Sequence, residues 1–222
     1  MDDDLNRRVA VHAALGDPHR LAIVDDLIVS DRSPRELADR LGLPSNLLAH
    51  HLDVLDDAGI ITRSVSAGDR RRRYVRLDTT APVVDSMHRP LPRRRVLFLC
   101  SHNSARSQLA AALWTSRTGS PAASAGTRPA ETVHRRTVTA ARRHGLDLSG
   151  ATPTQVCRVP ARTRVITVCD NAHEELSPEP DWWHWSIPDP VEVDTDAAFD
   201  LVVTELSARI DRLSPSISGA TS

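Results

Sequence analysis

Four apolar residues in a row, Val96-Leu97-Phe98-Leu99, end at Cys100 and give way to a short polar loop and then to helix-patterned sequence from Ser107 to Arg117. A continuous apolar run lacks the in-out alternation of a half-buried strand, so it reads as a strand covered on both faces. The same order of strand, loop and helix returns at Ala122-Ala123-Ser124-Ala125 with Val133 to His144, and again from Val165-Ile166-Thr167-Val168. This alternation predicts an α/β domain over residues 95–214 with a four-stranded parallel sheet. Asp196 to Leu213 reads as its last amphipathic helix, and Ser214 to Ser222 as a frayed tail.

Residues 1–78 carry a different pattern, of short helices and a hairpin. Asp17-Pro18 marks a helix start, with Asp17 as N-cap and proline in the first turn. Ser33-Pro34-Arg35-Glu36 repeats the signature with a capping box, and Gly42 ends that helix. Pro44-Ser45 opens another, lined by Leu48, Leu52 and Leu55 and stopped at Ala58-Gly59. Ile60 to Val65 and Arg72 to Leu77 read as two strands around Ala67-Gly68-Asp69. Between the two patterns, residues 79–94 are rich in proline and arginine and read as a linker.

The net charge of the 222 residues is -1, from 28 basic and 29 acidic side chains, which excludes a wholly basic nucleic-acid binder. The mean conceals a local excess, because residues 61–76 hold six arginines and one aspartate. Two helices joined by a glycine turn and followed by a basic hairpin suit a winged helix-turn-helix. Its expected DNA-binding residues are Ser45, Asn46, Leu47, His50 and His51 on the reading helix, with Arg70, Arg71, Arg72 and Arg73 on the wing to neutralise phosphates. The amino terminus has no long apolar stretch, and no segment reaches the length of a membrane span, so the chain is expected to be cytoplasmic and free of the membrane. Cys100, Cys157 and Cys169 are too few and too far apart for a disulfide scaffold and are expected as thiols. No metal site is expected, because His12, His19, His50 and His51 show no ligand spacing.

The loop Cys100-Ser101-His102-Asn103-Ser104-Ala105-Arg106-Ser107 stands between a buried strand and a helix start. Peptide N-H groups there, with the positive helix end, make a nest for a tetrahedral oxyanion, so Ser101, His102, Asn103, Ser104, Ala105 and Arg106 are the expected oxyanion-binding residues. Arg106 adds bidentate hydrogen bonds. The same field is expected to lower the pKa of Cys100 and keep it as the attacking thiolate, with Ser107 donating to the sulfur. Asn103 tolerates the left-handed backbone that the turn needs.

Two resemblances follow from these residues. HAALGDPHRLAIVDDL, SPRELADRLGLPSNLLAHHLDVLDDAGI and the basic wing resemble the ArsR winged-helix regulators. That implies a homodimer on a double-stranded DNA operator, although the helix Glu36 to Leu41 has no cysteine for a metalloid. VLFLCSHNSARSQLA, SAGT, GLDLS and SIPDP resemble the low-molecular-weight tyrosine phosphatase superfamily, which implies Cys100 as nucleophile, Arg106 as oxyanion binder and Asp189 as general acid.

VITVCDNAHEEL is similar to the arsenate reductase branch, and Val191, Glu192 and Val193 replace the tyrosines that wall the pocket in phosphotyrosine phosphatases. This branch implies that Cys169 resolves a Cys100-arsenic adduct, with an external thiol or redoxin as reductant: mycothiol with mycoredoxin, glutathione, or thioredoxin. Arsenate or phosphate is the expected oxyanion, and no bound cofactor is expected. Ala111 occupies the position of a potassium-binding glutamate, so no potassium site is expected. Hydrolysis of phosphomonoesters, or a non-enzymatic oxyanion-responsive repressor, are the alternatives. Cys157 is expected as a small core residue, and Trp182, Trp183, His184 and Trp185 as buried against the sheet edge.

Overall fold

The computed structural model describes residues 3–78, 81 and 94–213. Most of the expected linker and the whole expected tail, 214–222, lie outside the described residues. The chain divides into two compact units, each described by itself.

The helical unit contains α1 (Asp3–Leu15), α2 (Pro18–Leu27), α3 (Pro34–Leu41) and α4 (Ser45–Asp57), followed by the antiparallel strands β1 (Ile61–Val65) and β2 (Arg73–Leu77). Local chemistry sets the helix ends. Asp17 accepts hydrogen bonds from the amides of His19 and Arg20, and Ser33 and Glu36 close the capping box at the start of α3. Gly42 leaves α3 at φ 64°, the left-handed conformation that costs glycine least. Ile23, Leu37, Leu48, Leu55, Ile60 and Val75 fill the core between the helices and the hairpin. Arg32 extends the sheet with a bridge to Val75, its amide donating to the Val75 carbonyl at 3.1 Å. Its guanidinium and that of Arg40 share the Asp26 carboxylate, at 3.1 and 2.8 Å. Helix α1 was not marked by the sequence pattern, because only Val11 and Ala14 of its side chains are buried hydrophobics while Leu5 and Val9 are exposed.

The α/β unit is built on β3 (Arg95–Cys100), β4 (Ala122–Gly126), β5 (Thr163–Thr167) and β6 (Trp183–His184), in the order β4-β3-β5-β6 with every pair parallel. Helix α5 (Arg106–Thr118) packs on β3 and β4, α6 (Arg135–Arg143) and the one-turn α8 (Pro190–Val193) pack on α9 (Asp196–Leu213), and α7 (Asp170–Leu176) packs on β3 and β5. Alternate residues of β3 serve the two faces. Leu97 and Leu99 join Val165 and Leu176, whereas Phe98 meets Trp114 of α5 and Trp185 at ring distances of 5.9 and 5.8 Å. Both faces are covered, as the unbroken apolar run predicts.

Two elements depart from expectation. Helix α6 begins at Arg135 rather than at Val133, because the segment before it pairs with the Cys100 loop. The tryptophan cluster supplies the edge strand itself: Trp183 and His184 form β6, too short and too uniformly buried to show a strand period. Since the chain runs from β3 outward to β4 and then back to β5 on the other side, the carboxyl end of β3 is the switch point of the sheet, where open α/β sheets bind ligands.

Candidate active site and DNA-reading face

Cys100 is the last residue of β3, paired in register with Gly126. The loop that follows is held from outside. The carbonyls of Cys100, Ser101, His102 and Ser104 accept hydrogen bonds from the amides of Thr127, Arg128, Ala130 and His134, at 3.1, 2.8, 2.9 and 3.0 Å. A peptide carries its N-H opposite its C=O, so carbonyls turned outward aim amides inward. The Asn103 amide accordingly donates to Cys100 Sγ at 3.1 Å.

Asn103 takes the left-handed conformation at φ 49°, as its residue type predicts. Its side chain accepts from the Thr154 amide at 2.8 Å and from Gln108 Nε2 at 3.1 Å, and donates to Ser107 Oγ at 2.7 Å. The Ser107 hydroxyl, which accepts from Asn103 Nδ2, stands 3.0 Å from Cys100 Sγ, in place to donate to the sulfur once it is a thiolate. Beneath the loop, a Cβ on Gly126 would stand 2.6 Å from the Ser101 carbonyl oxygen, which leaves room for glycine alone.

Arg106 is the first residue of α5 and is buried. It donates to the Ile187 carbonyl at 3.0 Å and to Asp189 Oδ2 at 2.5 Å. Burial opposes its charge, and Cys169, Asp189 and Cys100 around it outweigh that effect, so the guanidinium is held more firmly protonated than usual. Asp189 also caps α8 by accepting from the Val191 amide. The loop thus gathers Cys100, Arg106, Ser107 and Asp189, together with a second thiol: Cys169 is buried, with its sulfur 3.4 Å from Ser101 Oγ. His102 is the exposed member of the loop.

Two expectations about the thiols are corrected. Burial pushes the Cys100 thiol above its ordinary range, and Ser107 and Arg106 pull it down by less, so the protonated form is favoured in the free loop. Desolvation of the anion outweighs the field there. Cys157 is exposed rather than in the core, with its sulfur 3.8 Å from the Gln155 carbonyl, because this segment lies along β4 with Val156 and Val159 packed on the core and Cys157 turned to solvent between them.

A polar network escaped the sequence reading. Thr167 Oγ1 lies 2.8 Å from His173 Nδ1 and 2.9 Å from His184 Nδ1, and His184 Nε2 donates to Asp170 Oδ1 at 3.0 Å. The two imidazoles stack at 4.1 Å. Burial raises the Asp170 carboxyl, but the hydrogen bond and charge of His184, together with hydrogen bonds from the Ala67 amide and Ser186, do more, so it sits below the usual carboxylate range. Asp170 directly follows Cys169 and acts on Arg106, so this network backs the thiol side of the site. Only the VCD run hinted at it; the histidines carry no motif.

In the helical unit, Ser45, Asn46, Leu47 and His50 are exposed along the first turns of α4, and Arg70 to Arg73 are exposed at the hairpin. His51 is a correction. It faces inward at 5% exposure, stacked on His19 at 5.3 Å, because it shares the buried stripe with Leu48, Leu52 and Leu55. It therefore packs and does not read DNA.

Residues 95–220 match the family model described as low molecular weight phosphotyrosine protein phosphatase. The chain belongs to that family. Residues 15–64 match a helix-turn-helix domain model, in line with the ArsR resemblance, so this phosphatase-family chain also carries a DNA-binding unit. Among solved structures, an arsenate reductase from Archaeoglobus fulgidus is similar at 30% identity, over 53% of this chain and 96% of that one, with a TM-score of 0.45. The tyrosine phosphatase Wzb from Escherichia coli K30 is similar at 25% identity, over 55% and 96%, with a TM-score of 0.48. The YwlE arginine phosphatase from Geobacillus stearothermophilus is similar at 23%, over 54% and 89%, with a TM-score of 0.46. Among the described residues, no helix is long and apolar enough to cross a membrane.

Proposed function

We propose that the α/β unit reduces arsenate to arsenite and that the helix-turn-helix unit regulates transcription in response to the same chemistry. The observation that carries the first part is the second buried thiol, Cys169, whose sulfur lies 3.4 Å from the hydroxyl of Ser101, the residue next to Cys100. Hydrolysis has no use for a second thiol, whereas reduction needs two electrons. In the reading we favour, the Cys100 thiol passes its proton to the Asp189 carboxylate as its sulfur attacks arsenic in a tetrahedral arsenate held by the loop amides and Arg106. Asp189 hands that proton to an arsenate hydroxyl, which leaves as water. The Cys169 thiolate then attacks Cys100 Sγ, the S-As bond breaks with its electron pair passing to arsenic, and As(V) leaves as arsenite. The product is a Cys100-Cys169 disulfide, which an external thiol or redoxin, either mycothiol with mycoredoxin, glutathione or thioredoxin, reduces for the next turn.

Hydrolysis of a phosphomonoester is the second reading, favoured by the Asp189 carboxylate held beside the loop on Arg106, where it can take the Cys100 proton and pass it to the leaving oxygen. Single-turnover reaction with arsenate followed by mass spectrometry of the thiols separates the two. The expected result is one Cys100-Cys169 disulfide per arsenite formed. Hydrolysis of an aryl phosphate with no arsenite and no disulfide overturns the reduction. For the helical unit we propose a homodimer on a double-stranded operator, with Ser45, Asn46, Leu47 and His50 at base edges and phosphates and Arg70 to Arg73 on the backbone. Operator binding that ignores both arsenate and arsenite removes the regulatory coupling.

A further inference from the structure

His19 and His51 are far apart in sequence, at a spacing that marks no ligand motif, and the fold brings them to one point with Asp17. Asp17 caps α2, its Oδ1 accepting from the amides of His19 and Arg20 at 2.9 and 3.0 Å. His19 follows it with half its side chain exposed. His51 comes from the inner face of α4, and both of its ring nitrogens are buried without a hydrogen-bond partner. A buried imidazole that pairs with nothing needs an explanation, since buried polar groups in folded proteins almost always find partners. Here it is aimed at a carboxylate and a second imidazole. The Nδ1 atoms of His19 and His51 each lie 3.8 Å from Asp17 Oδ1, and one donor atom from each residue falls within 4.8 Å of the others.

We propose that Asp17, His19 and His51 form a site for one divalent transition-metal ion of the Zn2+, Co2+ and Ni2+ class, with solvent completing the coordination. Two imidazoles and one carboxylate are the donors such ions prefer, whereas Ca2+ takes six to eight oxygens, so a lone carboxylate does not serve it. The ring spacing fits. Two imidazoles bound tetrahedrally to one ion at ordinary metal-nitrogen lengths hold their centroids about 5.2 Å apart, and those of His19 and His51 are 5.3 Å apart. Donors around such an ion sit about 3.4 Å from one another, so a turn of the half-exposed His19 ring out of its near-parallel stack on His51, with a small rotation of the Asp17 carboxylate, brings both 3.8 Å separations into range. No cysteine occurs in residues 1–99, so the site offers no soft ligand. The ion would join the start of α2 to the reading helix α4, which makes the site separate from the Cys100 loop in both place and chemistry.

The test is a Co2+ titration of the full-length protein, read by visible absorption and followed by displacement with Zn2+. The expected result is d-d absorption that saturates at one equivalent, without the thiolate charge-transfer band that Cys100, Cys157 or Cys169 would give. His19→Gln, at an exposed position, and Asp17→Asn, which keeps the helix cap, are each expected to weaken binding at least tenfold while circular dichroism stays unchanged. Absence of d-d absorption, a signal carried only by thiolate, or unaltered affinity in both variants overturns the site.

Discussion

The Cys100 loop and the first turns of α4 handle their polar groups in opposite ways. In the loop, outward carbonyls are taken by the amides of Thr127 to His134, and Asn103 spends its side chain on Ser107, Gln108 and Thr154. At α4, Ser45, Asn46 and His50 stand exposed, and the helix starts without a side-chain cap. A small oxyanion offers few contacts, so the loop must have its donors oriented before binding, because ordering them afterwards would consume the affinity. Duplex DNA offers many phosphates over a long surface, and exposed side chains can adapt to it one contact at a time. The loop should therefore fail abruptly under substitution, and the reading face gradually.

Cys100→Ser tests this most severely. Turnover of arsenate, or of an aryl phosphate, should fall by at least about 10³-fold in steady-state assays, while affinity for duplex DNA in a gel-shift titration stays the same. Survival of turnover would remove the nucleophile assignment. Gly126→Ala comes next. The added methyl meets the Ser101 carbonyl, and displacing the loop by a fraction of an ångström should cost about 10²-fold in kcat/KM. If activity is retained, the loop is softer than its hydrogen bonds imply.

Ser107→Ala removes a group that lowers the Cys100 pKa. Its expected cost is about 10- to 30-fold in kcat, with alkylation of the thiol shifted to higher pH. On the other side of the comparison, replacing Arg71 and Arg72 together with glutamine should weaken duplex binding by about tenfold and flatten the log-log salt dependence by about two. Catalysis should not change. An unaltered salt slope would mean that these arginines meet only solvent.

The smallest effect concerns acid stability. Asp170 has its folded-state pKa below the ordinary 3.8, so the stability it contributes is complete above that pH and disappears as pH falls through the lower folded value. Asp170→Asn should therefore have a lower urea midpoint than the parent at pH 7, and the gap should narrow as the pH falls below 3.8. Equal separation at both pH values would show that packing, not charge, accounts for the loss.

Much of this was legible in the sequence where one residue type answers one local need. Asp17, Ser33 and Gly42 announce helix ends through capping and backbone freedom alone, and Asn103 announces the left-handed turn. The Cys100 to Ser107 run identifies the site because strand, loop and helix follow one another without a break. What was illegible depends on tertiary burial. His51 belongs to the buried stripe of α4 by its position, but an imidazole beside a reading helix looks like a base contact until its neighbours are known. Likewise, the pKa of Cys100 follows from how deeply the loop is covered, and the loop's own residues do not encode that depth. The Asp170, His184 and Thr167 network joins three segments, so no single window contains it.

The outward pairing of the loop carbonyls also decides what can be transplanted. Cys100 to Ser107 contains the nucleophile and the arginine, yet the residues that fix its amides lie in the segment after β4, from Thr127 to His134, and in Thr154. Grafted alone between a strand and a helix of another protein, the eight-residue run would deliver a thiol and a guanidinium without a shaped receptor. The smallest portable cassette is the whole β3-α5-β4 unit together with its trailing splint.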